Sequence, residues 1–135
     1  MTAIVSAAQP LKHYTWGDDC DGWNLVDQPG LSIKQERMPP HTAETEHYHA
    51  KARQFFFILQ GAAVFETSEG RFELNARQGL EIAPGLKHRI KNESDTDLVF
   101  VLCSQPSTAG DRFGSGPGPA HTPGPSSLTG PSAKP

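Results

Sequence analysis

Apolar residues in this chain come in short runs separated by turn residues, a pattern typical of β-strands. The run from Gln54 to Gln60 is rich in Phe and Ile, as a buried strand should be. The run from Leu31 to Met38 ends at Pro39-Pro40, which cannot donate hydrogen bonds to a sheet. Gly61 and Ser68-Glu69-Gly70 are turn signals between further runs. The pattern predicts strands over residues 31–38, 44–49, 54–60, 62–67, 71–74, 80–83, 88–91 and 97–103.

Short strands without a long amphipathic helix predict an all-β fold, an antiparallel barrel or jelly roll. Upstream of these strands, aromatic residues stand in the segments 14–17 and 22–26. We expect these segments to form an N-terminal arm and a short strand that cover a barrel end or a dimer seam. The barrel with its arm is therefore predicted over residues 1–104, with its core at 31–104.

The C-terminal segment has a different composition. Residues 105–135 contain seven Pro, six Gly and five Ser, which resist regular structure and offer little apolar surface to bury. This composition predicts a disordered tail that is dispensable for folding, and Asp111-Arg112-Phe113 is its one part that could dock on the barrel. The remaining residues suffice for one domain with one core.

The net charge and the cysteine content limit the binding partners and the compartment that we expect. The net charge is −3 and the one basic cluster is Lys87-His88-Arg89 with Lys91, so nucleic acid and anionic membranes are not expected partners. We find neither a membrane-spanning apolar run nor a signal peptide in residues 1–10, and Cys20 and Cys103 are expected to be free thiols. The cytoplasm is the expected location.

Three histidines carry the candidate chemistry. In a β-strand alternate side chains share a face, so His47 and His49 should point the same way while Tyr48 points the other way. His88 stands almost forty positions downstream, and a barrel would return it to the same place. Three imidazole nitrogens suit Zn, Mn, Fe, Ni or Cu.

The spacing around these histidines resembles the two motifs of the cupin superfamily. His47, His49 and Gly61 match the first motif, and Gln54 stands at the position of its glutamate ligand. The resemblance implies a small single-domain cupin over about residues 31–104 and one divalent metal held by His47, His49, His88 and Gln54. Some cupins that isomerise or cyclise uronate-type sugars use three histidines and a glutamine. The second motif is matched by Gly85, His88 and Asn92.

Three other positions depart from these motifs. His41 and Arg77 stand where the motifs begin with glycine, and Ala83 replaces a proline. Non-glycine residues occupy turns at a cost of about 1 kcal/mol, and we expect Gly79 and Gly85 to supply the positive φ angles nearby.

Strand parity predicts the lining of the pocket. If Gln54 points inward, Phe55 and Phe57 point outward as an exposed apolar face. Either the N-terminal strand or a second copy in a homodimer should cover that face. The inward residues then form a polar cluster above an apolar floor, the usual build of a small-molecule site. Beside the ligands they are Phe56, Ile58, Ile90 and Asn92.

Neutral ligands would leave a divalent ion its full charge, which favours stabilising an anionic oxygen of a small substrate. A redox-neutral isomerase, cyclase or lyase acting on a carboxylate- or sugar-like substrate is therefore the first hypothesis. An Fe(II)-dependent dioxygenase and a non-catalytic sugar- or metal-sensing module are the alternatives. No catalytic acid or base is assigned. The candidates for proton transfer are Tyr14, Glu36, Arg37, Glu46 and Arg53.

Overall fold

The computed structural model describes residues 2–114, and all the regular structure in that range is β-strand. This confirms the all-β class and the antiparallel jelly roll. The strands are β1 Lys12–Trp16, β2 Cys20–Gln28, β3 Leu31–Met38, β4 Thr42–Ala43, β5 His47–Tyr48, β6 Arg53–Gln60, β7 Ala62–Thr67, β8 Gly70–Asn75, β9 Gly79–Ile82, β10 His88–Asn92, β11 Leu98–Gln105 and β12 Phe113–Gly114.

The strands form two sheets that enclose one core. The first sheet has the order β1-β2-β3-β11-β6-β9, and the second has the order β12-β5-β10-β7-β8 with β4 paired to β10. The N-terminal strands thus extend the edge of the first sheet beyond β3. Alternate residues of each strand face inward, so the two sheets bury the apolar side chains between them. The largest of these are Phe56, Phe65, Phe100, Met38, Ile58, Ile82 and Ile90.

The strand predicted over residues 44–49 is wrong in one respect. Only His47–Tyr48, which is β5, is strand within those bounds; β4 ends at Ala43, and residues 44–46 lie between the two pieces. The backbone N–H of Glu44 still donates to the carbonyl of Ile90, while the Glu44 side chain is buried. The regular strand pairing is therefore interrupted at the position where the buried Glu44 carboxylate enters the barrel.

The two residues that replace motif glycines adopt a backbone conformation that favours glycine. His41 and Arg77 have φ angles of 59° and 71°, in the left-handed region that favours glycine. Gly85 has a φ of 83°, as expected. Gly79 does not supply a positive φ. It lies against Phe55 instead, because a Cβ added to Gly79 would stand 2.5 Å from the ring.

Regular structure continues beyond Ser104, where the barrel was expected to end. β11 continues through Gln105, and β12 pairs with β5, placing Phe113 opposite Tyr48. Residues 105–114 thus belong to the fold, because their backbone finds partners in the barrel. Residues 115–135, the rest of the predicted tail, lie outside the described residues. Within residues 2–114 no helix has the length and apolarity needed to cross a membrane.

Candidate metal centre

Three buried histidines converge inside the barrel. One ring nitrogen of each of His47, His49 and His88 lies within 4.8 Å of the others. His47 and His88 pair directly across β5 and β10, and their ring centroids are 4.4 Å apart. The His49 ring lies 4.9 Å from that of His47 and 5.7 Å from that of His88. Tyr48 between them is only half-buried, as strand alternation predicts.

The hydrogen bonds of the three rings determine their tautomers. Each Nδ1 lies within hydrogen-bond distance of a backbone carbonyl oxygen, at 2.8 Å for His47 and for His88. A carbonyl oxygen only accepts, so each neutral ring carries its proton on Nδ1 and its lone pair on Nε2. This is the arrangement of histidines that bind a metal through Nε2. The accepting carbonyls belong to Thr45, Asp111 and Leu86.

Burial keeps the rings of His47 and His49 neutral. It lowers the pKa of His47 to about 3, against the opposing charge of Glu44. Burial also lowers the pKa of His49, although the hydrogen bond to Asp111 acts in the other direction. Both rings are therefore unprotonated near neutral pH, which is the state that a metal ion requires.

The side-chain amide of Gln54 is held through its nitrogen, which leaves its oxygen available. Its buried side chain donates from Nε2 to Oγ of Ser104 at 3.1 Å. Among the described residues, neither Oε1 of Gln54 nor Nε2 of His49 has a hydrogen-bond partner. Buried polar atoms without a partner are costly, and a cation would satisfy both. The donor set therefore fits a metal ion.

The apolar residues predicted to line the pocket are all buried on the inward face. Phe56 and Ile58 alternate with the outward Phe55 and Phe57 along β6, and Ile90 follows on β10. The Phe56 ring lies edge-on to His88, with 6.4 Å between the ring centroids. These side chains form apolar surroundings next to the histidines.

Asn92 is also buried, but its amide is engaged by the backbone. Its Nδ2 donates to the carbonyls of Met38, Pro39 and Thr96, and its Oδ1 accepts from the Ser94 backbone. The side chain thus fastens the ends of β3 and β10 to the turn that follows.

Two charged residues near the histidines were not anticipated. The Glu44 carboxylate is buried, with one oxygen 3.9 Å from Nδ1 of His47. Its other oxygen lies 3.6 Å from a guanidinium nitrogen of Arg112, which is partly exposed. Glu44 stands three positions before His47, a weak local signal. Arg112 belongs to the one tail segment expected to dock on the barrel, but the sequence does not indicate where that segment docks.

Of the predicted proton-transfer candidates, Tyr14 and Glu36 meet inside the barrel. The Tyr14 hydroxyl donates to Oε2 of Glu36 at 2.5 Å. Burial, reinforced by the Glu36 charge, raises the pKa of Tyr14. Gly22 makes this contact possible, because a Cβ there would stand 2.0 Å from the Tyr14 ring.

The other candidates lie at the surface. Arg37 pairs with Asp21, at 2.7 Å, and Arg53 pairs with Glu81 through two exposed side chains. Glu46 is exposed. Arg37, Glu46 and Arg53 are thus not among the buried residues that surround the histidines.

Comparison with known proteins identifies the family. Residues 34–104 match the cupin domain family, so this chain belongs to the cupins. Among curated proteins it is similar to the polyketide synthase CurC of Streptomyces cyaneus, at 31% identity over 77 residues, covering 57% of this chain. The chain spans 47% of the length of that relative.

Solved structures agree with this assignment. A cupin-superfamily sugar phosphate isomerase from Silicibacter pomeroyi aligns with a TM-score of 0.63 at 16% identity, covering 71% of each chain. A predicted oxalate decarboxylase from Thermotoga maritima aligns with a TM-score of 0.69 at 17% identity, covering 78% of this chain and 100% of the other. At these identities the likeness shows the fold alone.

Proposed function

We propose that this protein binds one divalent transition metal through His47, His49 and His88 and acts on a small oxygenated substrate by redox-neutral chemistry. The observation that carries the proposal is the shared tautomer of three buried rings, each held through Nδ1 by a backbone carbonyl. Three Nε2 lone pairs in one buried cluster suit Zn, Mn, Fe, Ni or Cu.

We propose Gln54 as a fourth ligand through Oε1. The hydrogen bond from Nε2 to Ser104 fixes the amide, and the oxygen then remains available. A bound divalent ion would supply Lewis acidity. Because all four proposed ligands are neutral, the site would keep the full charge of the ion and would favour a substrate with a carboxylate or a hydroxy-keto group.

The residues around the ligands support an anionic substrate. Arg112 is close enough for its charge to disfavour protonation of both His47 and His49. Glu44 is the buried carboxylate beside His47, and we favour it as the group that holds or moves a proton. Phe56 and Ile90 would exclude water from that side of the substrate.

An Fe(II)-dependent dioxygenase is the alternative enzyme, because a shell of neutral histidines also suits Fe(II). The name of one structural neighbour, a sugar phosphate isomerase, is consistent with the redox-neutral hypothesis. A module that binds a sugar or a metal without turnover is the non-enzymatic alternative.

The test combines measurement of the metal content with activity assays in the presence and in the absence of oxygen. We expect one metal ion per chain in untagged protein, and activity on sugar phosphates, uronates or keto acids that persists without oxygen. The His88→Ala variant should lose metal and activity, whereas His13→Ala, which changes an exposed histidine, should keep both. Activity that requires Fe(II) and consumes oxygen stoichiometrically would favour the dioxygenase. A metal-loaded protein with ligand affinity and no turnover would favour the binding module.

We further propose a homodimer formed through the outer face of the first sheet. Phe55 and Leu59 are 43% and 44% exposed there, and within residues 2–114 the N-terminal strands leave them uncovered. Light scattering should give twice the 14.6 kDa of one chain, and Phe55→Ser should lower that mass. A monomer at micromolar concentration would contradict the proposal.

The two free cysteines, Cys20 and Cys103, support a reducing compartment such as the cytoplasm.

A further inference from the structure

The loop that follows His49 is held by a residue from the far end of the fold. The buried Asp111 carboxylate accepts hydrogen bonds from three consecutive backbone N–H groups: Ala50 at 2.7 Å, Lys51 at 3.0 Å and Ala52 at 2.9 Å. Successive N–H groups that converge on one anion form a compact anion site. A single side chain thus fixes the backbone immediately after a proposed ligand.

The backbone of Asp111 holds the ligand itself. Its carbonyl oxygen accepts the hydrogen bond from Nδ1 of His49, across 62 positions of sequence. His47 and His88 instead use carbonyls only two positions earlier in their own segments. Within residues 2–114, His49 is therefore the histidine of the cluster whose Nδ1 is held by a carbonyl from a remote part of the chain.

The residues that follow Asp111 attach the C-terminal segment to β5, the strand that contains His47. Phe113 pairs with Tyr48 in β5, and the two rings stack with their centroids 5.3 Å apart. Arg112 extends towards Glu44. All of these C-terminal residues lie beyond the matched cupin domain, which ends at residue 104.

We propose that Asp111 is a positioning residue of the metal centre, and that the affinity for metal depends on it. The carboxylate fixes the backbone after His49 and the carbonyl fixes the ring, so Nε2 is aimed before any ion arrives. This inference rests on the proposed metal-binding function. Groups that orient ligands in this way typically account for about 10- to 100-fold in metal affinity.

Asp111→Asn tests the proposal with almost no change in volume. The amide has one acceptor oxygen and one donor nitrogen, so it cannot accept from all three N–H groups that the carboxylate satisfies. We expect the dissociation constant for Co²⁺, measured by chelator competition, to rise about 10- to 100-fold. The visible bands of bound Co²⁺ should change as well, because they report the geometry of the ligands. Asp95→Asn is the matched control, since it removes the same charge from an exposed side chain, and it should bind as the wild type does.

All measurements are made well below the melting temperature of each variant, so that binding to the folded protein is compared. If Asp111 merely stabilises the fold, Asp111→Asn will melt at a lower temperature while its Co²⁺ affinity and spectrum stay unchanged. That result would overturn the positioning role and leave the metal centre intact. A wild-type protein that binds no Co²⁺ stoichiometrically would overturn the metal centre itself and, with it, this inference.

Other variants give the same readout if Asp111→Asn does not fold. Asp111→Glu keeps the charge but moves the carboxylate by one methylene, so its affinity should also fall. Full-length protein is further compared with two truncations. Ending the chain after Gly114 retains the positioning segment and should preserve affinity, whereas ending it after Gly110 should reproduce the loss. Equal affinity of the two truncated proteins would refute the role of Asp111.

Discussion

Metal binding should raise the thermal stability of this protein, and replacing one histidine of the cluster should abolish that rise. The perturbation is the addition of Zn²⁺, Mn²⁺, Ni²⁺ or Co²⁺ to protein stripped with a chelator. One ring nitrogen from each of the three buried histidines lies within 4.8 Å of the others only in the folded barrel, so an ion binds the native state in preference to the unfolded chain. His88→Ala removes one of these atoms.

The size of the effect follows from mass action. Free metal at 100 times its dissociation constant stabilises the folded state by about 2.7 kcal/mol. The described fold contains 113 residues, from 2 to 114. At about 2.1 cal/mol/K per residue, its unfolding entropy is about 0.24 kcal/mol/K. The melting temperature should therefore rise by about 11 °C in the wild type and hardly at all in His88→Ala.

Scanning calorimetry or a dye-based melting assay measures this difference. Each variant is compared with and without metal, so any intrinsic destabilisation by His88→Ala cancels. His13→Ala is the control, because it removes a half-exposed histidine paired with Asp21 on the surface and should keep the full rise. An equal rise in wild type and His88→Ala would refute the reasoning, since the ion would then bind elsewhere.

Three further predictions concern the ligands and the backbone. Gln54→Glu should tighten metal binding in a chelator competition, because a carboxylate adds negative charge at the proposed fourth ligand; unchanged affinity would place residue 54 outside the coordination sphere. Arg77→Gly should raise the unfolding free energy in urea by about 0.5–1 kcal/mol, because it relieves a φ of 71°, whereas Arg77→Ala should give no gain. Metal-free protein should lose stability as pH falls below 6.5, since the unfolded chain protonates His47 there while the fold resists protonation down to about pH 3. His47 alone should contribute a loss that approaches about 1.4 kcal/mol per pH unit below pH 6.5, and a His47→Gln variant with the same slope as the wild type would contradict it.

Local periodicity was enough to predict much of the barrel. The strands β3 and β7 have the predicted bounds, and Gln54, Phe56 and Ile58 share the buried face of β6 as alternation requires. The same rule placed His47 and His49 on one side of their segment. These features depend on the two-residue period of a strand, which can be recognised from neighbouring residues in the sequence. The cupin motif spacing then supplied the third histidine.

Tertiary structure alone decided how that site is held. The carbonyl that orients His49 comes from Asp111, and Arg112 beside it lies close to Glu44. Both belong to the tail segment 111–113, which the sequence indicated could dock without indicating where. Such contacts join residues about sixty positions apart, so no local period reports them. Tertiary structure also decided whether the N-terminal strands cover Phe55. They pair with the edge of the first sheet beyond β3 and do not pack on its outer face. Sequence determined which side chains point into the barrel, whereas long-range backbone hydrogen bonding determined how they are oriented there.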